Sequence, residues 1–328
     1  MKILLSTCRN PHFRTITEYV EEAFAETGHE CVFFDDRDYL LPGRLRDGFR
    51  FLERWDLRRI NAGLVEKAAR VKPDLLLIAG GWRVSAETVA AVKKLGSRTA
   101  LWTIDPPVPP ELARAAPFYD FVFCGGTEGV EILSGLIRNP QWLPFGCPAS
   151  LLSTTAAPGP ASDVCFVGSY YPNRAKIFES LADMNFRIIG PGWEKLGKNS
   201  PLKKLARPGQ VRPEEWLGLY RSAKIVLCAH YQDGKIPCYQ ASPRVYEALG
   251  CGSFLLCDSQ KDVLSLFKDG IHLAVWRDGR ELRQKALYYL ERPEERLAIA
   301  RAGKAEVRAK HTYAARISEM LSVVSGRP

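Results

Sequence analysis

Two oppositely charged residues lie three positions apart in the segment Ser242–Gly252. Ser242 followed by Pro243 is typical of the start of a helix, and on a helix Arg244 and Glu247 then share one face. There an arginine can bind a phosphate, while a carboxylate can accept hydrogen bonds from two vicinal hydroxyls, as on a ribose. An ordinary surface ion pair is the alternative interpretation.

A second polar segment, Gly168 to Arg174, directly follows an apolar run. A glycine at a strand end, with a helix beginning near Pro172, leaves free backbone N–H groups beside the positive end of the helix dipole, which favours an anion. A cation in the first helical turn opposes that dipole, so we expect Arg174 to face a ligand charge. Gly168, Ser169 and Arg174 are therefore candidate binding residues, against the alternative of a plain turn with a surface arginine.

Three further candidates lie in loops that follow predicted strands: Asp105, His12 and His230. Asp105 precedes a stiff proline run and could act as a base or orient a group. His12 could bind an acceptor or take a proton, and His230 could contact a substrate. A capping carboxylate and solvent-exposed loop histidines are the alternatives.

The apolar runs before these residues predict two parallel sheets, because continuous apolar strands alternate with helical patterns. Such sheets bind ligands at the carboxyl ends of their strands, where the strand order reverses. Strands are predicted at 3–5, 31–34, 74–78, 99–104 and 121–124, then at 164–167, 187–189, 224–227, 254–257 and 271–275. Helices are predicted at 15–26, 57–70, 85–95, 129–138, 280–290, 293–308 and 313–324. Residues 36–55 form an insertion without an assigned role. The acidic run Asp35 to Asp38 could suggest a metal carboxylate site, but it is more typical of a solvated turn.

The chain has 328 residues, which predicts about two domains. We expect an α/β protein of two doubly wound domains: 1–147, a proline-rich linker at 148–162, and 163–310, closed by a helix over 311–328 that could pack back on the first domain. The natural ligand site would be the cleft between the two domains.

Charge and cysteine content limit the classes of partner. Lys and Arg exceed Asp and Glu by 46 to 37, which favours an anionic partner. The basic runs interleave acids with bases, as in Arg44 to Arg59, and this is typical of a solvated helical face rather than a nucleic-acid patch. No apolar run approaches the ~18 residues of a membrane span, so we expect no integral membrane contact, while peripheral association stays open. Nine scattered cysteines without a C-x-x-C pair indicate neither a metal site nor disulfides, and favour the cytoplasm.

Several segments carry a resemblance to a known family: DVCFVGSYYPNR at 163–174, YRSAKIVL at 220–227, SPRVYEALGCGSFLLCD at 242–258 and RPEERLAIARAGKAEVRAKHTY at 292–313. In these segments the second half resembles the CgeB-like (spore maturation protein) glycosyltransferases, which are related to the family 4, group 1 enzymes. The first half is similar only in LWTIDP at 101–106 and LPFG at 143–146.

The resemblance implies a GT-B fold, in which two Rossmann-like domains face each other across a cleft. It implies that Glu247 accepts the ribose hydroxyls of a nucleotide-diphosphate sugar, with Gly168, Arg174 and Arg244 near the diphosphate. It also implies a metal-independent reaction without a tightly bound cofactor, and an acceptor held near His12 and Asp105. An inverting reaction would need one of these two residues as its base, whereas a retaining one would not.

The leading hypothesis is therefore a glycosyltransferase that uses a UDP-, GDP- or TDP-linked sugar. The acceptor stays open among a glycan, a lipid-linked glycan and a protein. A nucleotide-sugar epimerase or hydrolase of the same fold is one alternative, and a non-catalytic two-domain ligand-binding protein is another. A nucleic-acid partner is not expected.

Overall fold

The computed structural model describes residues 1–10, 14–81, 83–105, 108–153, 159, 161–232 and 238–326. The strands are β1 (Lys2–Thr7), β2 (Glu30–Asp35), β3 (Leu75–Ala79), β4 (Arg98–Thr103), β5 (Phe121–Cys124), β6 (Gln141–Trp142), β7 (Ser162–Val167), β8 (Phe186–Gly190), β9 (Ala206–Pro208), β10 (Ala223–Cys228), β11 (Leu255–Asp258) and β12 (Ala274–Trp276). The helices are α1 (Ile16–Glu26), α2 (Gly43–Gly48), α3 (Arg50–Val71), α4 (Ala86–Lys94), α5 (Pro110–Ala115), α6 (Thr127–Leu133), α7 (Ala149–Leu152), α8 (Pro172–Phe178), α9 (Pro213–Ser222), α10 (Pro243–Gly250), α11 (Lys261–Leu266), α12 (Gly279–Leu290), α13 (Pro293–Lys310) and α14 (Tyr313–Ser325).

The first compact unit comprises Met1–Asn10, Thr15–Pro144 and the C-terminal residues from Arg316 onward. Its sheet has the order β2-β1-β3-β4-β5-β6, and neighbouring strands are parallel. All five residues of β3 are buried, because the sheet is covered on both faces. The guanidinium of Arg98 donates to the carbonyl oxygen of Val324, so the end of α14 is attached to this unit.

The second compact unit contains Phe145–Ala315. Its sheet has the order β12-β11-β10-β7-β8-β9 and is parallel throughout the described residues. The core packs Phe166, Phe178, Phe186 and Trp193 against the apolar side chains of the central strands. The predicted α/β class is confirmed, since each unit is a parallel sheet covered by helices.

The elements that differ from the sequence prediction include two edge strands and one long helix; in addition, α6 is Thr127–Leu133 rather than 129–138, and β12 is Ala274–Trp276 rather than 271–275. β6 and β9 are short and lack the continuous apolar run that marks a strand buried on both faces, so the pattern did not predict them. Helix α3 begins at Arg50 rather than at residue 57. Its buried positions Ile60 and Leu64 lie further along, and the first two turns are mostly exposed, so they carry little apolar periodicity.

Among the described residues, no helix is both long enough and apolar enough to cross a membrane. All nine cysteines are free thiols.

Candidate functional site

The strand order of the second unit reverses between β7 and β10. From β7 the chain adds β8 and β9 on one side, and it then adds β10, β11 and β12 on the other. The loops that leave the carboxyl ends of β7 and β10 therefore separate in opposite directions and leave a crevice between them. Six sequence-predicted residues lie in or directly after these loops: Gly168, Ser169, Arg174, His230, Ser242 and Arg244, and Glu247 follows one helical turn later.

Arg244 lies directly against the backbone at the end of β7. Its Nε donates to the carbonyl oxygen of Val167 at 2.8 Å, and its guanidinium carbon lies 4.9 Å from the centre of the Phe166 ring. A Cβ atom on Gly168 would collide with this guanidinium. Glycine at position 168 thus leaves room for the Arg244 guanidinium in its present position.

Arg174 joins the loops that follow β7 and β10. Its Nε donates to the carbonyl oxygen of Ala229 at 2.7 Å, and one Nη donates to that of Ser169 at 2.9 Å. The side chain is buried, and this burial, with the positive charge of Arg244, lowers the pKa of Arg174 to about 10. Two guanidinium groups close enough for the charge of Arg244 to disfavour that of Arg174 form a place where an anion would be stabilised.

Glu247 lies on α10, one turn after Arg244, and is half-buried. Burial raises the pKa of Glu247 to about 7, although the positive charge of Arg244 opposes the rise. Ser242 is the N-cap residue and Pro243 the first helical residue, as predicted. The Ser242 hydroxyl does not cap the helix, and its Oγ lies 3.6 Å from Sγ of Cys228.

His230 and Asp258 form a buried pair at the ends of β10 and β11. The Asp258 carboxylate accepts the backbone N–H of His230 at 2.9 Å, and its other oxygen lies 2.6 Å from Nδ1 of the ring. On the far side of the ring, the backbone N–H of Ser242 donates to Nε2 at 3.0 Å.

Two influences on the charge of His230 oppose each other. Burial lowers the pKa of His230, whereas the Asp258 carboxylate and Cys228 together raise it by more, to about 10. However, a proton on Nε2 would point at the N–H group of Ser242, which is itself a donor. The neutral ring with its proton on Nδ1 is the form that fits these contacts, and it connects the strand ends with the start of α10.

Cys228 and Cys257 lie beside this pair, at directly paired positions of β10 and β11. The ligand atoms of Cys228, His230, Cys257 and Asp258 all lie within 4.8 Å of one another, and sulfur, nitrogen and oxygen donors of this kind bind zinc. A metal-bound histidine normally donates from its other ring nitrogen. Here Nε2 faces a donor, and the 2.6 Å between Nδ1 and the carboxylate is a direct hydrogen bond. The geometry fits a hydrogen-bonded pair better than a metal centre.

The sequence pattern singled out His230 but not Asp258. Asp258 lies at the end of the buried strand β11, beside the site, and this position is the signal that could have identified it.

In the first unit, Asp105 is exposed just after β4, and a Cβ atom on Gly80 would lie 3.9 Å from its carboxylate. His12 lies outside the described residues.

The expectation of a solvated turn at 35–38 is wrong for Asp36, which is buried and lies 3.4 Å from a guanidinium nitrogen of Arg83. Burial raises the pKa of Asp36 to about 6, while Arg83 opposes the rise.

A family model described as "Glycosyl transferase-like" matches residues 174–322. Residues 174–322 are thus similar to the glycosyl transferase-like family. The matched region begins at Arg174 and contains Arg244, Glu247 and the His230–Asp258 pair. The matched region therefore contains the β10 side of the crevice and Arg174, whereas Gly168 and Ser169 precede it.

One curated relative matches about half of the chain. The chain is 27% identical over 168 residues to the spore protein CgeB of Bacillus subtilis, an alignment that covers 46% of this chain and 50% of the relative. The chain thus spans about half the length of the curated relative that it matches. The resemblance to the CgeB-like glycosyltransferases is confirmed.

Solved structures match nearly the whole chain at low identity. A sucrose-phosphate synthase from Thermosynechococcus elongatus has a TM-score of 0.69 at 13% identity, covering 99% of this chain and 98% of its own. Anabaena Alr3699/HepE in complex with UDP-glucose has a TM-score of 0.67 at 12% identity, covering 99% of this chain and 100% of its own. At such identities the matches show the fold alone, and they confirm the predicted GT-B class.

Proposed function

We propose that the chain transfers a sugar from a nucleotide-diphosphate sugar to an acceptor hydroxyl. One observation carries the proposal: Arg174 and Arg244 both lie at the strand-order reversal of the second unit, with Glu247 one helical turn after Arg244. Two cations suit the charge of a diphosphate, and a carboxylate one helical turn away from them suits the hydroxyls of the adjoining ribose. The UDP-glucose complex of Alr3699/HepE supports a donor of this class.

In the proposed reaction the bond between the anomeric carbon and the diphosphate oxygen breaks, and a bond from the anomeric carbon to the acceptor oxygen forms. The negative charge that develops on the departing diphosphate would be stabilised by Arg244 and by the N–H groups of Arg174 that are not used on the backbone. The proton of the acceptor hydroxyl must leave. We propose Asp105 or His12 as the base if the sugar configuration is inverted.

Glu247 would accept two hydrogen bonds from the ribose in its ionised form. Because burial raises the pKa of Glu247 to about 7, donor binding should weaken as the pH falls below this value. The neighbouring phosphates bind through cations that stay charged, so their contribution should change little over the same range.

We further propose that donor binding needs no metal ion, since the two arginines can balance the charge of the diphosphate. The Cys228–His230–Cys257–Asp258 group provides the direct check. The hydrogen-bonded arrangement predicts protein without stoichiometric zinc by elemental analysis, and nucleotide binding that is unaffected by a chelator. Zinc retained through purification, with binding lost on chelation, would contradict this proposal.

The test is calorimetric titration with UDP, GDP and TDP and their common sugars, using the wild type and Glu247→Gln. The matched control is Glu291→Gln, which removes the same charge from an exposed position after α12. We expect one nucleoside diphosphate to bind, the first variant to bind it poorly and the control to bind it normally. Equal binding by all three proteins would show that Glu247 does not contact the nucleotide. Absence of binding by the wild type would contradict the proposed class of donor.

Product analysis with the donor alone separates the other activities. A transferase leaves the sugar unchanged until an acceptor is added. Conversion of the donor sugar without an acceptor would instead identify an epimerase or a hydrolase, and saturable binding without turnover for any acceptor would identify a binding protein.

A further inference from the structure

We infer that the start of α3, together with α2, forms a docking surface for a bilayer that contains anionic lipids. This surface is built from Leu45 and Phe49, Phe51 and Trp55, and the arginines at 44, 50, 54 and 58, and is called here the aromatic–arginine face. It lies in the first unit, and none of its residues is used in the proposed function.

The aromatic side chains of this face are turned outward. Phe51 is 66% exposed, Phe49 is 54% exposed and Trp55 is 51% exposed, although such residues are normally buried. The rings of Phe49 and Phe51 lie 5.9 Å apart, so the end of α2 and the start of α3 contribute to one patch. Exposed apolar residues that cluster in this way indicate an interaction surface.

Helical spacing shows that this exposure is a property of one face. Phe51, Arg54, Trp55 and Arg58 follow the i, i+3, i+4, i+7 pattern and are all exposed. The opposite face of α3 carries the buried residues Asp56, Ile60, Leu64 and Ala68. The helix is thus anchored to the unit by one side and presents aromatic rings and guanidinium groups on the other.

The charge of the aromatic–arginine face indicates what kind of surface binds to it. Four of the five exposed charged side chains between residues 40 and 58 are arginines, and the fifth is Asp47. The buried Asp56 forms an ion pair with Arg59, which is not one of these four arginines. Over residues 44–59 as a whole, six arginines face three acidic residues, Asp47, Glu53 and Asp56. The face therefore presents a net positive charge to solvent.

Arginines beside tryptophan and phenylalanine match the chemistry of an anionic bilayer surface. Guanidinium groups bind lipid phosphates in a forked geometry, and aromatic rings insert at the level of the headgroups. A helix lying in the plane of the membrane uses these two interactions together. A protein partner would need shaped pockets for the rings, whereas a bilayer accepts them at any lateral position.

The test is co-sedimentation of the full chain with vesicles of phosphatidylcholine, with and without phosphatidylglycerol. We expect binding only to the anionic vesicles and a decrease with added salt. Phe51→Ser combined with Trp55→Ser should reduce partitioning about tenfold or more, because two rings no longer enter the interface. Arg54→Gln combined with Arg58→Gln should reduce binding and its salt dependence together.

The matched control replaces Leu264 and Leu287 with serine, since these are exposed apolar residues of the second unit. Circular dichroism should show that every variant is folded. Absence of binding by the wild type, or equal loss in the control, would overturn the proposal. A change of molecular mass by light scattering in the Phe51/Trp55 variant without lipid would also overturn it, in favour of self-association. The vesicle assay contains no donor or acceptor, so its result is independent of the proposed transferase activity.

Discussion

Replacing Glu247 with glutamine should stabilise the free protein and weaken its binding of a nucleotide-diphosphate sugar. Burial raises the pKa of Glu247 from the ordinary 4.5 to about 7, even though Arg244 opposes the rise. At roughly 1.4 kcal/mol per pH unit, this rise means that the ionised carboxylate costs the folded state on the order of 3 kcal/mol. Glutamine carries no charge and avoids that cost.

The direction in which wild-type stability changes with pH follows from proton linkage. The folded state holds the Glu247 proton more tightly than the unfolded state does, because its pKa there is the higher one. The wild type therefore loses stability as the pH rises from about 4.5 to about 7, and the full loss is present above that range. The difference between Glu247→Gln and the wild type should be near zero at low pH and should reach about 3 kcal/mol near pH 8.

Binding should change in the opposite direction. The amide of glutamine can accept one ribose hydroxyl but presents N–H groups to the other. Hydrogen bonds to charged groups contribute about 1.5–3 kcal/mol each, so affinity should fall on the order of 100-fold at pH 8. Below pH ~7, wild-type affinity should fall by up to about tenfold per pH unit, because the carboxyl must lose its proton first. The affinity of the variant should not follow this dependence.

The assay is urea unfolding followed by fluorescence at several pH values, combined with calorimetric titration of the nucleotide. Each unit has its own core, so the substitution should change only the unfolding free energy of the second unit. Glu291→Gln is the control and should change stability by less than about 0.5 kcal/mol. A destabilised Glu247→Gln variant, or a stability difference that does not depend on pH, would refute the reasoning.

Three further substitutions test the contacts around the crevice. Arg244→Lys should weaken nucleotide binding at least about tenfold and cost about 1–3 kcal/mol of stability by urea unfolding, because lysine lacks the Nε–H that bonds the Val167 carbonyl. Gly168→Ala should reduce nucleotide affinity by titration, since the added methyl group displaces the Arg244 guanidinium. Asp258→Asn should cost about 1–3 kcal/mol in the same unfolding assay, because one amide group cannot accept from both the backbone N–H and the ring N–H of His230.

Each of these expectations has an outcome that contradicts it. Wild-type affinity in Arg244→Lys would show that a point charge is sufficient and that the forked geometry is not used. An unchanged Gly168→Ala protein would show that the arginine can move without loss. Full stability of Asp258→Asn would indicate that His230 is held by Ser242 alone.

The alternation of apolar strands and helices determined the fold class, because a run such as Ile3-Leu4-Leu5 must be buried on both faces of a parallel sheet. Local chemistry also determined the start of α10, since Pro243 suits the first helical position without help from the rest of the chain, although the Ser242 hydroxyl does not cap the helix. The short edge strands β6 and β9 carry no such local signal and could not be predicted.

Only the tertiary structure decided which polar groups meet. Arg174 bonds the carbonyl oxygen of Ala229, 55 residues further along the chain, and His230 meets Asp258 across 28 residues. The burial of Asp36 beside Arg83 depends on the loop after β3, which lies 47 residues away. Sequence patterns report periodicity within one element, whereas these contacts arise because parallel strands bring distant carboxyl ends to one edge of a sheet.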